Sequence, residues 1–209
     1  MRIVALGDST TAGTPGWRSP LEAPPAGSGD VQSQYAYWLM QAHPDWDVVN
    51  CGVNGERSDE IASRFARDVI SAAPRIVIII AGVNDVYQGC PVDAVTRNLK
   101  LMYELARDAG VTVLAGTIVP YDTATPEQNR RMHEINGWIE REAKRDPNVE
   151  FVDTRRAVAM PEDLDRLISS PDSLHPSVDG YRRMAEAMRP VLERLLGERV
   201  RPHLDDPSV

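Results

Sequence analysis

The chain has 209 residues, of which 42% are hydrophobic and 26% charged, and its formal net charge is −8. That length suits one domain with a full core, and the acidic balance argues against a nucleic-acid or anionic-membrane partner, since both favour a basic face. Cys51 and Cys90, the only two cysteines, make neither a disulfide framework nor a metal spacing, and no apolar run approaches the ~18 residues of a membrane span.

The first strand is predicted over Arg2 to Leu6, a β-branched run close behind Met1. A chain that enters a strand at once is expected to carry no signal peptide. A cytoplasmic location is therefore the default expectation, a leader already cleaved being the alternative. The strand runs into Gly7-Asp8-Ser9-Thr10, and ligands of open α/β sheets bind just beyond the carboxyl ends of strands. Ser9 is on that ground a candidate nucleophile. A Pro- and Gly-rich loop from Thr11 to Val31 follows, long enough to be functional rather than a plain connection. Trp17 within it is placed either to line a substrate pocket or to anchor the loop. Gln34 to Ala42 carries Tyr35, Trp38, Leu39 and Ala42 at helical spacing.

Strand two is predicted over Trp46 to Val49 and leads into Asn50-Cys51-Gly52-Val53-Asn54-Gly55-Glu56-Arg57. Ser58 reads as a helix N-cap, with Asp59 and Glu60 in the first turn and Ile61, Phe65 and Val69 as a buried stripe. Strand three, Arg75 to Ala81, is a continuous Ile/Val run suited to a central parallel strand. It stops at Gly82-Val83-Asn84-Asp85. Pro91 opens a helix with Val95, Leu99, Met102 and Ala106, closed by Gly110. Strand four is predicted over Val111 to Ile118. Thr125, Pro126 and Gln128 form a capping box with proline at the first helical position. That helix buries Ile135, Trp138 and Ile139, and strand five, Val149 to Val152, follows. A polar stretch with a short helix leads to Ser170-Pro171-Asp172-Ser173-Leu174-His175-Pro176. The last helix starts near Val178, and Pro190 is expected to kink it. Residues 198–209 read as a loose tail behind a domain spanning 1–197.

Five strands alternating with helices predict an α/β domain with a parallel sheet. Acyl transfer by serine needs a nucleophile, a base, a group that orients the base, and donors for the oxyanion. Ser9, His175 and Asp172 are the candidates for the first three. The Ser9 N–H, the Gly55 N–H and the Asn84 side chain are the candidates for the donors, with Gly52 a rival to Gly55. Asn54 either contacts substrate or holds its turn. Asp8 and Asp85 read as acceptors of backbone amides, Arg57 as a partner of surface acids or, as the alternative, a residue shaping the pocket, Cys51 as a small buried filler, and His43, His133 and His203 as exposed. The sequence holds no GxGxxG or P-loop run, which leaves nucleotide binding without a motif. It also lacks the G-x-S-x-G elbow of the α/β-hydrolases.

These segments resemble the conserved blocks of the SGNH hydrolases, also called GDSL esterases and lipases. The Ser block is Gly7-Asp8-Ser9, the Gly block Asn50 to Gly55, the Asn block Gly82 to Asp85, and the His block Asp172 to Pro176. Thr10 stands where the family name has leucine, a position expected to matter for packing more than chemistry. The resemblance implies Ser9 as nucleophile, His175 as base, Asp172 as its partner, and an oxyanion hole of Ser9, Gly55 and Asn84. Gly55 is preferred over Gly52 because the family's oxyanion glycine ends such a segment. It further implies a three-layer α/β/α, flavodoxin-like sandwich with a five-stranded parallel sheet, and no metal or organic cofactor. The expected activity is hydrolysis of short-chain carboxylic esters through an acyl-enzyme: an acetyl ester of a sugar, or a small aryl or alkyl ester. The alternatives are a lysophospholipase or thioesterase of the same fold, an acyltransferase, and a non-catalytic binder of a carbohydrate or acyl group.

Overall fold

Apolar runs as short as these, each followed by a helical segment, bury both faces of their strands only when helices cover the two sides of a parallel sheet. The computed structural model, which describes residues 1–197, has that arrangement; the tail expected over 198–209 lies outside the described residues. The sheet strands are β1 (Arg2–Gly7), β2 (Asp47–Gly52), β3 (Ile76–Ile80), β4 (Thr112–Gly116) and β5 (Val149–Val152). All neighbours are parallel and their order is 2-1-3-4-5, the flavodoxin-like order.

The two-residue period of the strands divides the core into two halves. Val4, Leu6, Val77, Ile79, Val113 and Ala115 face one side, under α3 (Ser58–Ser63), α4 (Phe65–Asp68), α6 (Val92–Asp108) and α7 (Pro126–Ala143). Ile3, Ala5, Ile76, Ile78, Ile80 and Leu114 face the other, under α2 (Tyr35–Ala42), α8 (Thr154–Val158) and α9 (Val178–Gly197).

Three local expectations need revision. β2 continues to Gly52 because Asn50, Cys51 and Gly52 pair with Ala5, Leu6 and Gly7. Ser58 is the first residue of α3 rather than its cap: Arg57 takes the cap position and the Ser58 hydroxyl is drawn to Asp85. The stripe of Ile61, Phe65 and Val69 is fully buried, but the helix carrying it breaks at Arg64 into α3 and α4. α9 starts at Val178, as the sequence indicates, and carries Pro190 inside it, with Tyr181, Met184, Met188 and Leu192 buried. The capping box of α7 is as the sequence indicates, with Thr125 Oγ1 accepting from Gln128 N–H and Gln128 Oε1 from Thr125 N–H.

The long loop after Ser9 is folded. It begins with α1 (Ser9–Ala12), forms a two-stranded ribbon of Trp17–Arg18 against Ser28–Gly29, and ends in a 3₁₀ turn, Val31–Ser33. No described helix is long and apolar enough to cross a membrane.

Candidate active site

In a 2-1-3-4-5 sheet the chain leaves β1 and β3 in opposite directions, and ligands bind in the crevice where their carboxyl ends part. Ser9 follows β1, and Asn84 follows β3 in the short helix α5 (Val83–Tyr87), so both stand at this switch point. Ser9 is the first residue of α1, where a backbone N–H has no intrahelical acceptor. Asp8 caps the helix, its Oδ1 accepting from Thr10 N–H at 2.9 Å. Ser9 Oγ lies 3.0 Å from His175 Nε2, and His175 Nδ1 lies 2.7 Å from Asp172 Oδ2.

The turn around Asp172 explains this aim. Asp172 Oδ1 accepts the N–H groups of Leu174 and His175 at 3.0 and 2.8 Å, while Ser170 Oγ donates to the His175 carbonyl at 2.7 Å. Ser173 turns the chain at φ +64°, and its carbonyl accepts from Asp122 N–H at 2.9 Å. Burial by itself raises the Asp172 carboxyl. The hydrogen bond from the His175 ring and those from the two amides outweigh burial and hold it below the usual carboxylate range. The carboxylate is thereby kept charged against the imidazole.

The other wall is the turn after β2. Gly55 has φ +77° and open space where a Cβ would stand, and it lines the cleft. Its rival Gly52 is a packing glycine: a Cβ there would lie 2.0 Å from Ala12 N, and its N–H is taken by Asn50 Oδ1. Asn84 Nδ2 donates one hydrogen to Glu56 O at 2.9 Å, which leaves its second for the cleft. Ser9, Thr10, Asn54, Gly55, Val83, Asn84, Tyr87, Val119, Tyr121, Leu174 and His175 line a cavity of about 250 Å³. Trp17 is not among them. Its ring packs over Gly27 within the loop.

Asp85 accepts from Ser58 N–H and Oγ at 2.8 and 2.7 Å, tying the end of the Gly turn to the Asn84 helix. Arg57 pairs with Asp59, and Cys51 is buried, which pushes its thiol up to about 11. His43 bonds Glu193 and His133 bonds Asp165, both away from the cleft. Among the described residues no His, Cys, Asp and Glu are grouped to hold a metal ion.

One buried group here leaves a measurable trace. Burial pushes the Asp8 carboxyl up to about 7 against the weaker opposing bonds from Thr10, and its Oδ2 has no partner. The folded chain therefore keeps a proton that the unfolded chain releases near pH 4, so this residue's contribution to stability falls as pH rises from about 4 to 7. In Asp8→Asn that slope is gone. The variant's stability relative to wild type should improve by about 2–4 kcal/mol between pH 5 and pH 8, read by chemical denaturation at both. An unchanged difference contradicts the buried, proton-holding Asp8.

Sequence reasoning missed Arg64. Its guanidinium, 6% exposed, donates to Gly7 O, Cys51 O, Glu56 Oε2 and Asp68 Oδ2 at 2.6–2.8 Å. The available signal was an Arg/Asp pair four residues apart inside the apolar stripe of Ile61 and Phe65.

The profile of the GDSL-like lipase/acylhydrolase family matches residues 5–183. An arylesterase of Vibrio mimicus is 26% identical over 191 residues, covering 88% of this chain and 84% of that protein. An acetylxylan esterase of Geobacillus stearothermophilus is 29% identical over 169 residues, covering 73% and 76%. In three dimensions, a member of the lipolytic protein G-D-S-L family from Veillonella parvula superposes with a TM-score of 0.77 at 21% identity, covering 93% of this chain and 99% of that one. A match running from β1 into the last helix, over a sheet and switch point of this form, leaves one assignment: the chain belongs to the GDSL-like lipase/acylhydrolase family and is a carboxylic ester hydrolase.

Proposed function

We propose that this esterase works through Ser9 and prefers short acyl groups, as an acetyl ester of a sugar or a small aryl or alkyl ester. The reading is carried by the hydrogen-bonded row Ser9 Oγ–His175 Nε2–Nδ1–Asp172 at the edge of a small cleft. His175 takes the Ser9 proton as Oγ attacks the ester carbonyl. The carbonyl oxygen becomes an oxyanion, received by the N–H groups of Ser9 and Gly55 and the Asn84 amide. The tetrahedral adduct collapses with His175 protonating the departing alcohol, and the acyl group stays on Ser9. Water, deprotonated by His175, then attacks the acyl-enzyme and releases the acid.

Two observations support short chains. The cavity of about 250 Å³ is below the ~300–1,000 Å³ of pockets that bury drug-sized ligands. The curated relatives, an arylesterase and an acetylxylan esterase, carry names that fit small aryl esters and acetyl groups. The test is turnover of p-nitrophenyl acetate, butyrate and octanoate. The expected result is kcat/KM falling from the short esters to octanoate by about tenfold or more, since each misplaced methylene is worth roughly 1–3 kcal/mol in a fitted pocket. Activity that rises with chain length overturns the short-acyl reading in favour of a lysophospholipase or thioesterase.

A further inference from the structure

Glu22 belongs to none of the motif segments, yet it touches the turn that carries the Gly55 N–H. Among the consecutive backbone N–H groups from Val53 to Ser58, every one except Gly55 has an acceptor among the described residues. Val53 donates to Gly7 O at 3.1 Å, Asn54 to Glu22 Oε1 at 3.0 Å, and Glu56 back to Val53 O at 3.5 Å. Arg57 donates to Glu60 Oε2 at 2.9 Å and Ser58 to Asp85 Oδ2 at 2.8 Å. Of these acceptors, the Glu22 carboxylate is supplied by the long loop after α1.

The turn has a second possible state. Gly55 is its third residue, at φ +77°, the value a type II turn requires there. Types I and II differ mainly by a flip of the central peptide, here Asn54–Gly55. The flip would swing the Gly55 N–H out of the cleft and present the Asn54 carbonyl oxygen to the oxyanion instead. Glycine tolerates both states, so contacts from outside the turn can bias the choice between them.

The loop between Gly13 and Asp30 supplies it. Glu22 holds the Asn54 N–H, Thr14 Oγ1 donates to Asn54 Oδ1 at 3.1 Å, and Ser19 Oγ donates to Gly52 O at 2.6 Å. The second Glu22 oxygen, Oε2, is buried without a partner, a costly way to satisfy one amide. What a carboxylate adds over a neutral acceptor is a charge-assisted bond of about twice the strength. We propose that Glu22 is a positioning residue that keeps the Val53–Glu56 turn in the state aiming the Gly55 N–H at the oxyanion. The proposal rests on the reading of Gly55 as an oxyanion donor given above.

The experiment compares wild type, Glu22→Ala and Glu22→Gln on p-nitrophenyl acetate, with kcat expressed per active site titrated by a fluorophosphonate. A trifluoromethyl ketone, which adds the serine to give a transition-state-like adduct, supplies a second readout. In Glu22→Ala, kcat is expected to fall about 10- to 100-fold, less than or near the loss of a whole donor. KM should stay within about twofold and the ketone's Ki rise in step with the loss of kcat. Glu22→Gln, which keeps an acceptor without the charge, should recover part of the kcat. Should Glu22→Ala fail to fold, Glu22→Asp, whose carboxylate is set back by one methylene, takes its place with the same expectation. An unchanged kcat, a change in KM alone, or a Gln variant no better than Ala overturns the proposal. Asn84→Ala in the same assay, and Ser9→Ala with its rate expressed per mole of folded protein because it has no serine to titrate, separate the levels: if both lose activity while Glu22→Ala does not, only the Glu22 assignment fails. A fully active Ser9→Ala removes the underlying site and this proposal with it.

Discussion

Ser9→Ala is expected to lower kcat on p-nitrophenyl acetate by about 10⁴- to 10⁶-fold, the range seen when the nucleophile of a serine hydrolase is removed. The Ser9 hydroxyl is 5% exposed as part of its residue and reaches His175 Nε2 at 3.0 Å. Alanine leaves that nitrogen with nothing to deprotonate. The surviving rate comes from water attacking a carbonyl still held by Gly55, Asn84 and the residue 9 backbone, the kind of residual catalysis an oxyanion hole supports. His175→Ala should cost about as much, and the double variant little more than either, because the two act as one unit. Asp172→Asn should fall by roughly 10⁴-fold, since an amide holds the imidazole in the wrong tautomer. The fold gives an internal control. Ser9→Ala loses one hydrogen bond, worth about 1 kcal/mol, so Tm should hardly move while activity disappears. Retained activity in a folded Ser9→Ala sinks the assignment.

The parts of the candidate site legible in the sequence share one property: their geometry is set within a few residues. Asp172 and His175 sit three apart in a turn whose own amides close onto the carboxylate. Ser9 and Asn84 each stand directly after a strand whose composition marks it as central. The sheet followed from the same kind of signal, since the Ile/Val runs have one comfortable environment, between two layers of helices. What escaped was assembled across the chain. The long loop could be recognised as too long for an idle connection, but not as a brace, because its contacts are with Gly52 and Asn54, some thirty residues onward. Trp17 has two readings in the sequence, and the packing of its ring on Gly27, ten residues onward, is not visible there. The break between α3 and α4 is invisible in a continuous apolar stripe; it falls at Arg64, a residue with four acceptors drawn from four places.

Arg64→Ala is expected to be the most destabilising of the substitutions considered, by about 3–5 kcal/mol, the usual cost of removing one member of a buried charged pair. The guanidinium links the carbonyl ends of β1 and β2, at Gly7 and Cys51, to Asp68 and to Glu56. Truncation takes the guanidinium's bonds from both carbonyl oxygens, of which Gly7 O keeps the Val53 N–H, and removes one of the two cations bound to Asp68, the other being Arg67. Burial alone raises the Asp68 carboxyl, and the bonds from Arg67 and Arg64 reverse this to hold it below its ordinary value; without Arg64 that balance weakens. At about 2–4 °C per kcal/mol for a chain of this size, Tm should drop by roughly 6–20 °C. Lysine should rescue little, because a single ammonium cannot reproduce a planar fork of donors. Asp68→Ala combined with Arg64→Ala should cost less than the sum of the two, since the pair is coupled. Activity should suffer as well: Gly7 precedes the Asp8 cap of the Ser9 helix, and the Glu56 carbonyl is the acceptor that orients Asn84. A Tm within about 2 °C of wild type would mean that the strand ends are held by something other than this guanidinium.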